Sequence, residues 1–223
     1  MEPHFYAHSE NKAGIWHRLR YHLIDVSRLA GLFSQDLPFA EEAKLAGLLH
    51  DLGKYGDRFQ ARLHGEDRGL DHWSQGAWLA LQREYQAVAA ALAIQGHHIG
   101  LQHVDASSLR GMLQHHESLQ LDLSGDWQVL NERLKTDGLL PEKPQKTIFN
   151  GNLDNGLDRM LDVRMLFSTL VDADFLDTEA HFNGDGQGKR YRKSGQGLHT
   201  DKALSILLNT SRALVEKLKR LEP

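Results

Sequence analysis

The sequence predicts an all-α protein, and three observations carry that expectation. Apolar residues recur at three- and four-residue spacing along most of the 223-residue chain. No run of alternating β-branched residues reaches a useful strand length. No internal repeat points to a solenoid. A chain of this size buries about 70% of its extended surface. It therefore needs no covalent staple, and it has no Cys to make one.

The elements follow in order. Trp16, Leu19, Leu23, Val26, Ala30 and Phe33 form one stripe, which predicts a helix over 13–34. Asp36 and Pro38 read as the cap and first-turn proline of a second helix carrying Leu45, Leu48, Leu49 and Leu52. Gly53 suits its end. A short helix is expected over 56–64. Residues 73–96 are rich in Ala and Leu and read as helix broken near 82–85, and Gly96 and Gly100 bracket a turn. Helices are expected over 105–118 and 126–136, with a loop over 137–152. A long helix over 153–180 carries Leu157, Met160, Leu161, Leu166, Leu170 and Val171. Residues 183–197 are Gly-rich and basic, and a last helix with a leucine stripe runs from 200 to 221. The expected organisation is one domain over 1–182, a linker over 183–199 and a C-terminal helix over 200–223.

Composition bounds the function. A net charge of −4 excludes a globally basic nucleic-acid binder, though not a local basic patch. The absence of Cys removes thiolate zinc sites, thiol nucleophiles and redox motifs. No apolar run approaches the roughly 20 residues of a membrane span, and the N-terminus lacks a signal-peptide pattern. A soluble, cytoplasmic protein with no membrane partner is expected. The count that stands out is 14 His.

Position decides which His matter, since about one His-Asp dipeptide is expected by chance in such a chain. His22 lies at the edge of the first helix's stripe. His50-Asp51 closes an apolar helix in LAGLLHDLGKYGDRFQ. Neighbouring helical residues point about 100° apart, so adjacent ligands can serve two ions or one can bridge. His72 opens a helix in DHWSQGA, and His97-His98 closes one in IQGHHIG. Asp172 and Asp174 sit in the apolar middle of the long helix, a costly place unless paired or metal-bound. Taken singly, a His at such an edge is more often a hydrogen-bonded core residue. His4, His17, His64, His103, His115, His116, His181 and His199 are read that way or as surface, and His8 stays open because it follows Ala7 in an AHS string. The basic run of Lys189, Arg190, Arg192 and Lys193 reads as solvated linker.

Taken together, the order His22, His50-Asp51, His72, His97-His98 and a distant Asp resembles the HD-domain metal-dependent phosphohydrolase superfamily. The strings YAHS, LAGLLHDLGKY, FQARL, DHWSQGA, GHHIGL and LFSTLVDADFLDTE look more closely like the HD nuclease domain of the CRISPR-associated type I nuclease-helicase, over residues 4–182. The last string is most similar to that protein's I-C branch.

The resemblance implies an HD-domain helical bundle with His22, His50, Asp51, His72, His97, His98 and Asp174 as metal ligands. Asp172 is the reserve for Asp174. Two residues apart on a helix, the two cannot both face one centre. Asp51 would bridge and be catalytic. By spacing alone, Lys54, one turn after Asp51 if the helix continues past Gly53, is the second catalytic candidate, there to contact a phosphate oxygen or offset transition-state charge. The ligand types suit two divalent ions among Mn, Fe, Co, Ni and Zn, with Mg a further candidate. Such ions, about 3.5–4 Å apart, clamp a phosphodiester's attacking and leaving oxygens.

The implied substrate is single-stranded DNA, in particular the strand displaced by an RNA-guided surveillance complex. The implied partners are that complex and a superfamily-2 helicase. One departure is that Gly188-Lys189-Arg190 lacks the Ser or Thr of a Walker A motif. The helicase is therefore expected on a separate subunit, or this stretch is one domain of a longer protein. The competing readings are an HD phosphohydrolase acting on a free or cyclic nucleotide, and a non-catalytic docking module of a defence complex. The intact ligand set speaks against the latter.

Overall fold

The computed structural model describes residues 4–68, 72–101, 127–149, 156–193, 195 and 199–219. Its regular structure is helical apart from one antiparallel ribbon, β1 (Tyr6–His8) against β2 (His17–Arg18). The helices are α1 (Leu19–Phe33), α2 (Ala40–Leu49), α3 (Asp57–Leu63), α4 (Ser74–Leu81) and α5 (Val88–Gly96). They continue with α6 (Trp127–Thr136), α7 (Gly156–Phe182) and α8 (Thr200–Lys219). The all-α expectation holds. The helix expected over 105–118, with His103, His115 and His116, lies outside the described residues.

The first helix starts later than its stripe suggests. Asn11 Oδ1 accepts hydrogen bonds from the Ala13 and Ile15 N–H groups, at 2.9 and 3.2 Å. That local side-chain bonding makes a turn in place of helix. Trp16 then packs between the rings of Tyr6 and His64, with centroids 5.4 and 4.9 Å away. The break between α4 and α5 falls where the sequence placed it, and Gln86 takes a φ of 55° there.

The core lies where α1 meets α2 and α7, and where α5 meets α4, α2 and α7. Leu19, Leu23 and Val26 of α1, Leu45 and Leu49 of α2, Ile94 of α5 and Leu166 and Leu170 of α7 are all buried there. Each is worth about 1.5–3 kcal/mol relative to exposure. Met160 and Leu161, expected on the apolar face of the long helix, are instead 48% and 61% exposed. The buried face of α7 is set by Val163, Leu166, Leu170 and Ala173.

One buried carboxylate ties three segments. Glu42 of α2 is fully buried, and its Oε1 accepts from Ala89 and Ala90 N–H at 3.1 and 3.2 Å. These are first-turn donors of α5 that have no partner within their own helix. An anion also suits that end of the helix dipole. Its Oε2 accepts from Ile148 N–H at 2.8 Å. Glu42→Ala would leave these donors buried and unpaired. An expected loss of about 2–3 kcal/mol is measurable as a lower urea midpoint at unchanged slope.

Residues from 192 onward form a second compact unit. Within it, α8 leaves Leu204, Leu207 and Leu208 exposed. The first unit runs through Tyr191. The first part of the stretch read as linker belongs to it: Asp185 and Gly188 pair backbone to backbone, and Arg190 N–H donates to Ala180 O at 2.8 Å.

Candidate metal centre

Helix α2 stops at Leu49, so His50 and Asp51 stand just past its end. Asp51 has left helical geometry, with φ −112° and ψ 24°. A short 3-10 turn (Leu52–Tyr55) follows, in which Lys54 N–H donates to Asp51 O at 2.9 Å. The turn folds the Lys54 ammonium back to 2.7 Å from Asp51 Oδ2.

Gly53 is needed for close approach more than as a helix stop. A Cβ there would lie 2.6 Å from His72 Cα, and its own N–H donates to His72 O at 3.0 Å. This clasp brings the segment that carries His72 onto the His50-Asp51 turn. Gly76 permits the next approach, since a Cβ there would run into Leu49 O.

The sequence-proposed residues converge. His22 comes from α1, His50 and Asp51 from the end of α2, His72 from the start of α4, His97 and His98 from the end of α5, and Asp174 from α7. Asp51 Oδ2 lies 3.2 Å from both His22 Nε2 and His50 Nε2. Asp174 Oδ1 closes that side at 3.4 and 3.7 Å from the same two nitrogens. Asp51 Oδ1 faces the other way, 3.4 Å from His72 Nε2 and 3.9 Å from His97 Nε2. His98 Nε2 is 2.8 Å from His72 Nε2. Asp51, His72, His97 and His98 form one group of ligand atoms within 4.8 Å of one another, and His22, His50 and Asp51 form a second. Asp172 is outside both and exposed.

The donor chemistry fits divalent cations. His50 Nδ1 donates to Gly47 O at 2.9 Å, His97 Nδ1 to Ile94 O at 2.6 Å, and His22 Nδ1 to Asp177 Oδ2 at 2.8 Å. Each ring thus spends its Nδ1 proton on a structural acceptor and turns Nε2 to the centre, as metal-ligating imidazoles do. His97 Nε2 and the Asp51 carboxylate oxygens are buried without a hydrogen bond. The Lys54 ion pair is the nearest cation to Asp51 Oδ2.

Charges reinforce this. Burial opposes a charge on His22, but the neighbouring Asp174, Asp177 and Asp51 carboxylates raise its pKa to about 10. Burial likewise opposes charge on His50, and Asp51 and Asp174 raise its pKa to about 9. Burial would push the Asp51 carboxyl up, yet His50, Lys54 and His22 hold it well below the usual range. On the other side burial dominates: His72 falls well below its ordinary value and His97 drops to about 3.

On these directions a cation on the His22 and His50 side competes with protons, and one on the His72 and His97 side does not. We expect two classes of binding. One weakens about tenfold per pH unit for each proton displaced as pH falls below about 9, the raised value at His50, and the other is flat over the same range. Calorimetry in buffers of different ionisation enthalpy counts the protons released.

Sequence reasoning missed several neighbours. Asp177, one turn after Asp174, is fully buried and hydrogen-bonds His22. His17, read as ordinary, is buried and stacks on His181 with centroids 4.6 Å apart. His8, left open, sits with its ring centroid 5.0 Å from that of His22 and its Nε2 3.1 Å from Thr178 Oγ1. The one available signal was the third Asp in VDADFLDTE, Asp177, at one-turn spacing from the second, Asp174.

Residues 19–126 match the family model described as HD domain. That domain suggests a metal-dependent phosphohydrolase, and HD domains bind divalent cations, which the His and Asp cluster could hold. No curated protein matches the chain. Among the described residues, no helix is long and apolar enough to cross a membrane.

Proposed function

We propose, from the HD domain at residues 19–126 as premise, that the chain is a metal-dependent nuclease hydrolysing phosphodiester bonds of single-stranded DNA. One observation carries the reading. A single buried carboxylate, Asp51, presents one oxygen to His22 and His50 and the other to His72 and His97. That is the arrangement a bridging ligand between two cations requires, and two-cation centres serve in-line displacement at phosphorus.

His22, His50 and Asp174 would hold one ion and His72, His97 and His98 the other, with Asp51 shared. The ions would supply Lewis-acid stabilisation of the phosphate and activation of water. The chain's own residues do the rest. Lys54, 5% exposed, is held between Asp51 and the Phe59 ring, 5.4 Å from its centroid. From there its ammonium can offset charge on a phosphate drawn to the centre. His22, His50 and Asp51 are shut from water, whereas His98 and the 21%-exposed Asp174 side chain form the open side by which a strand would approach.

The wider setting rests on the sequence strings. In this proposal the substrate is the strand displaced during CRISPR interference, and the partners are an RNA-guided surveillance complex and a superfamily-2 helicase. The test is purified protein on circular single-stranded DNA, with and without Mn, Co, Ni or Mg. Metal-dependent linearisation is expected. Intact circles with degradation of linear strands would make it an exonuclease. Intact circles and strands, with release of phosphate from nucleotides, would overturn the reading in favour of a nucleotide phosphohydrolase.

A further inference from the structure

Asp177 is a fully buried carboxylate beside the centre with four close partners. Its Oδ2 accepts the His22 Nδ1 hydrogen bond at 2.8 Å, with His17 Nε2 at 3.4 Å. Its Oδ1 accepts from Lys189 Nζ and from Tyr191 OH, each at 2.6 Å. Lys189 Nζ also reaches Asp25 Oδ2 of α1 at 2.8 Å. Both Oδ1 donors come from the stretch after α7. That stretch turns at 185–188 and runs back so that Arg190 N–H meets Ala180 O.

We infer that Asp177 is a positioning residue for His22, and that the returning stretch 184–191 fixes Asp177 through Lys189 and Tyr191. This rests on the metal-centre reading above. An imidazole has two neutral tautomers, and the acceptor at one nitrogen decides which nitrogen is left to ligate. Backbone carbonyls make that choice for His50 and His97. His22 alone of these three is held by an anion, which also makes its Nε2 a stronger donor.

A fully buried carboxylate is tolerable only with its oxygens satisfied. Lys189 and Tyr191 do this for the oxygen that His22 does not use. The orientation of a residue on α1 is thereby set by residues about 170 positions later in the chain. A purely structural reading has Asp177 only pinning the stretch to α7. The two readings differ in what happens to cation binding.

Cobalt(II) is the probe, because its visible absorption reports ligand geometry and its titration reports affinity, both without DNA. The full chain is compared with Asp177→Asn, Asp177→Ala, Lys189→Met combined with Tyr191→Phe, and Asp25→Asn. Asp177→Asn keeps the shape and an acceptor but removes the charge. It is expected to weaken one class of cobalt sites by about 10–100-fold and to shift its band. The Lys189/Tyr191 double variant is expected to weaken the same class by less. Asp25→Asn, which touches Lys189 but not Asp177, should change neither readout.

Asp177→Asn with wild-type affinity and spectrum overturns the inference and leaves the metal centre standing. If Asp177→Ala fails to fold, Asp177→Asn alone decides between the two readings. A wild-type chain that takes up no cobalt overturns the metal centre itself, and the inference with it.

Discussion

In the proposed two-cation nuclease, Asp51→Asn is expected to reduce cleavage by about 10³-fold or more and to empty both cation sites. Among the described residues no other offers one atom to each side of the centre, so its loss would remove the proposed shared ligand rather than one of several. Asn keeps the volume but neither the charge nor two equivalent acceptor oxygens. The cation-free fold should suffer too. His22, His50 and Lys54 would be left as buried cations without their common anion, and breaking such a buried set costs about 3–5 kcal/mol. Calorimetric stoichiometry, cleavage rate and thermal melting together check this. Wild-type protein should gain about 2.7 kcal/mol at cation concentrations near 100 times Kd, and the variant should gain nothing. A folded Asp51→Asn protein that cleaves at a near wild-type rate would show that the carboxylate does not bridge.

Asp174→Asn is expected to cost at least about 100-fold in cleavage and to weaken one cation site, while Asp172→Asn stays within about 0.5 kcal/mol of wild type in stability. Asp174 lies 3.4 Å from His22 Nε2 and 3.7 Å from His50 Nε2, whereas Asp172 is exposed two positions earlier. Rates and bound metal for the two variants separate them. An inactive Asp172→Asn beside an active Asp174→Asn would reverse the assignment. Two active variants would mean that α7 supplies no ligand.

The helices and the residues that converge were legible because both leave local marks. Leucine periodicity marked α1, α2 and α7. His and Asp at helix ends, in strings such as HDLGK and GHHIGL, marked residues that meet in space. The start of α1 was not legible. Trp16 shares the helical period by accident, and Asn11, five residues earlier, bonds the Ala13 and Ile15 N–H groups into a turn. The end of α2 was misplaced because Gly53 looks like a stop signal, while its side-chain-free face is spent on His72. Asp177 left only its one-turn spacing from Asp174, and Lys189 and Tyr191 left no mark. Accepting a proton from the far nitrogen of a ligand has no sequence spacing, and only the packing of α7 on α1 creates it.

The wide spread of the converging residues has a consequence for how the molecule reaches its native state. The two sides of the centre draw on α1, the end of α2, the start of α4, the end of α5 and α7. No short segment contains more than one adjacent pair of them, so an unfolded chain offers a cation no local cage to nucleate around. The ribbon, the bundle and the docking of α7 must form first, and non-local closure of that kind is slow. A cation added during refolding should leave the folding rate unchanged and should act almost wholly by slowing unfolding, the behaviour of contacts absent from the transition state. Chelation should then shorten the lifetime of the native molecule without altering the path by which it forms.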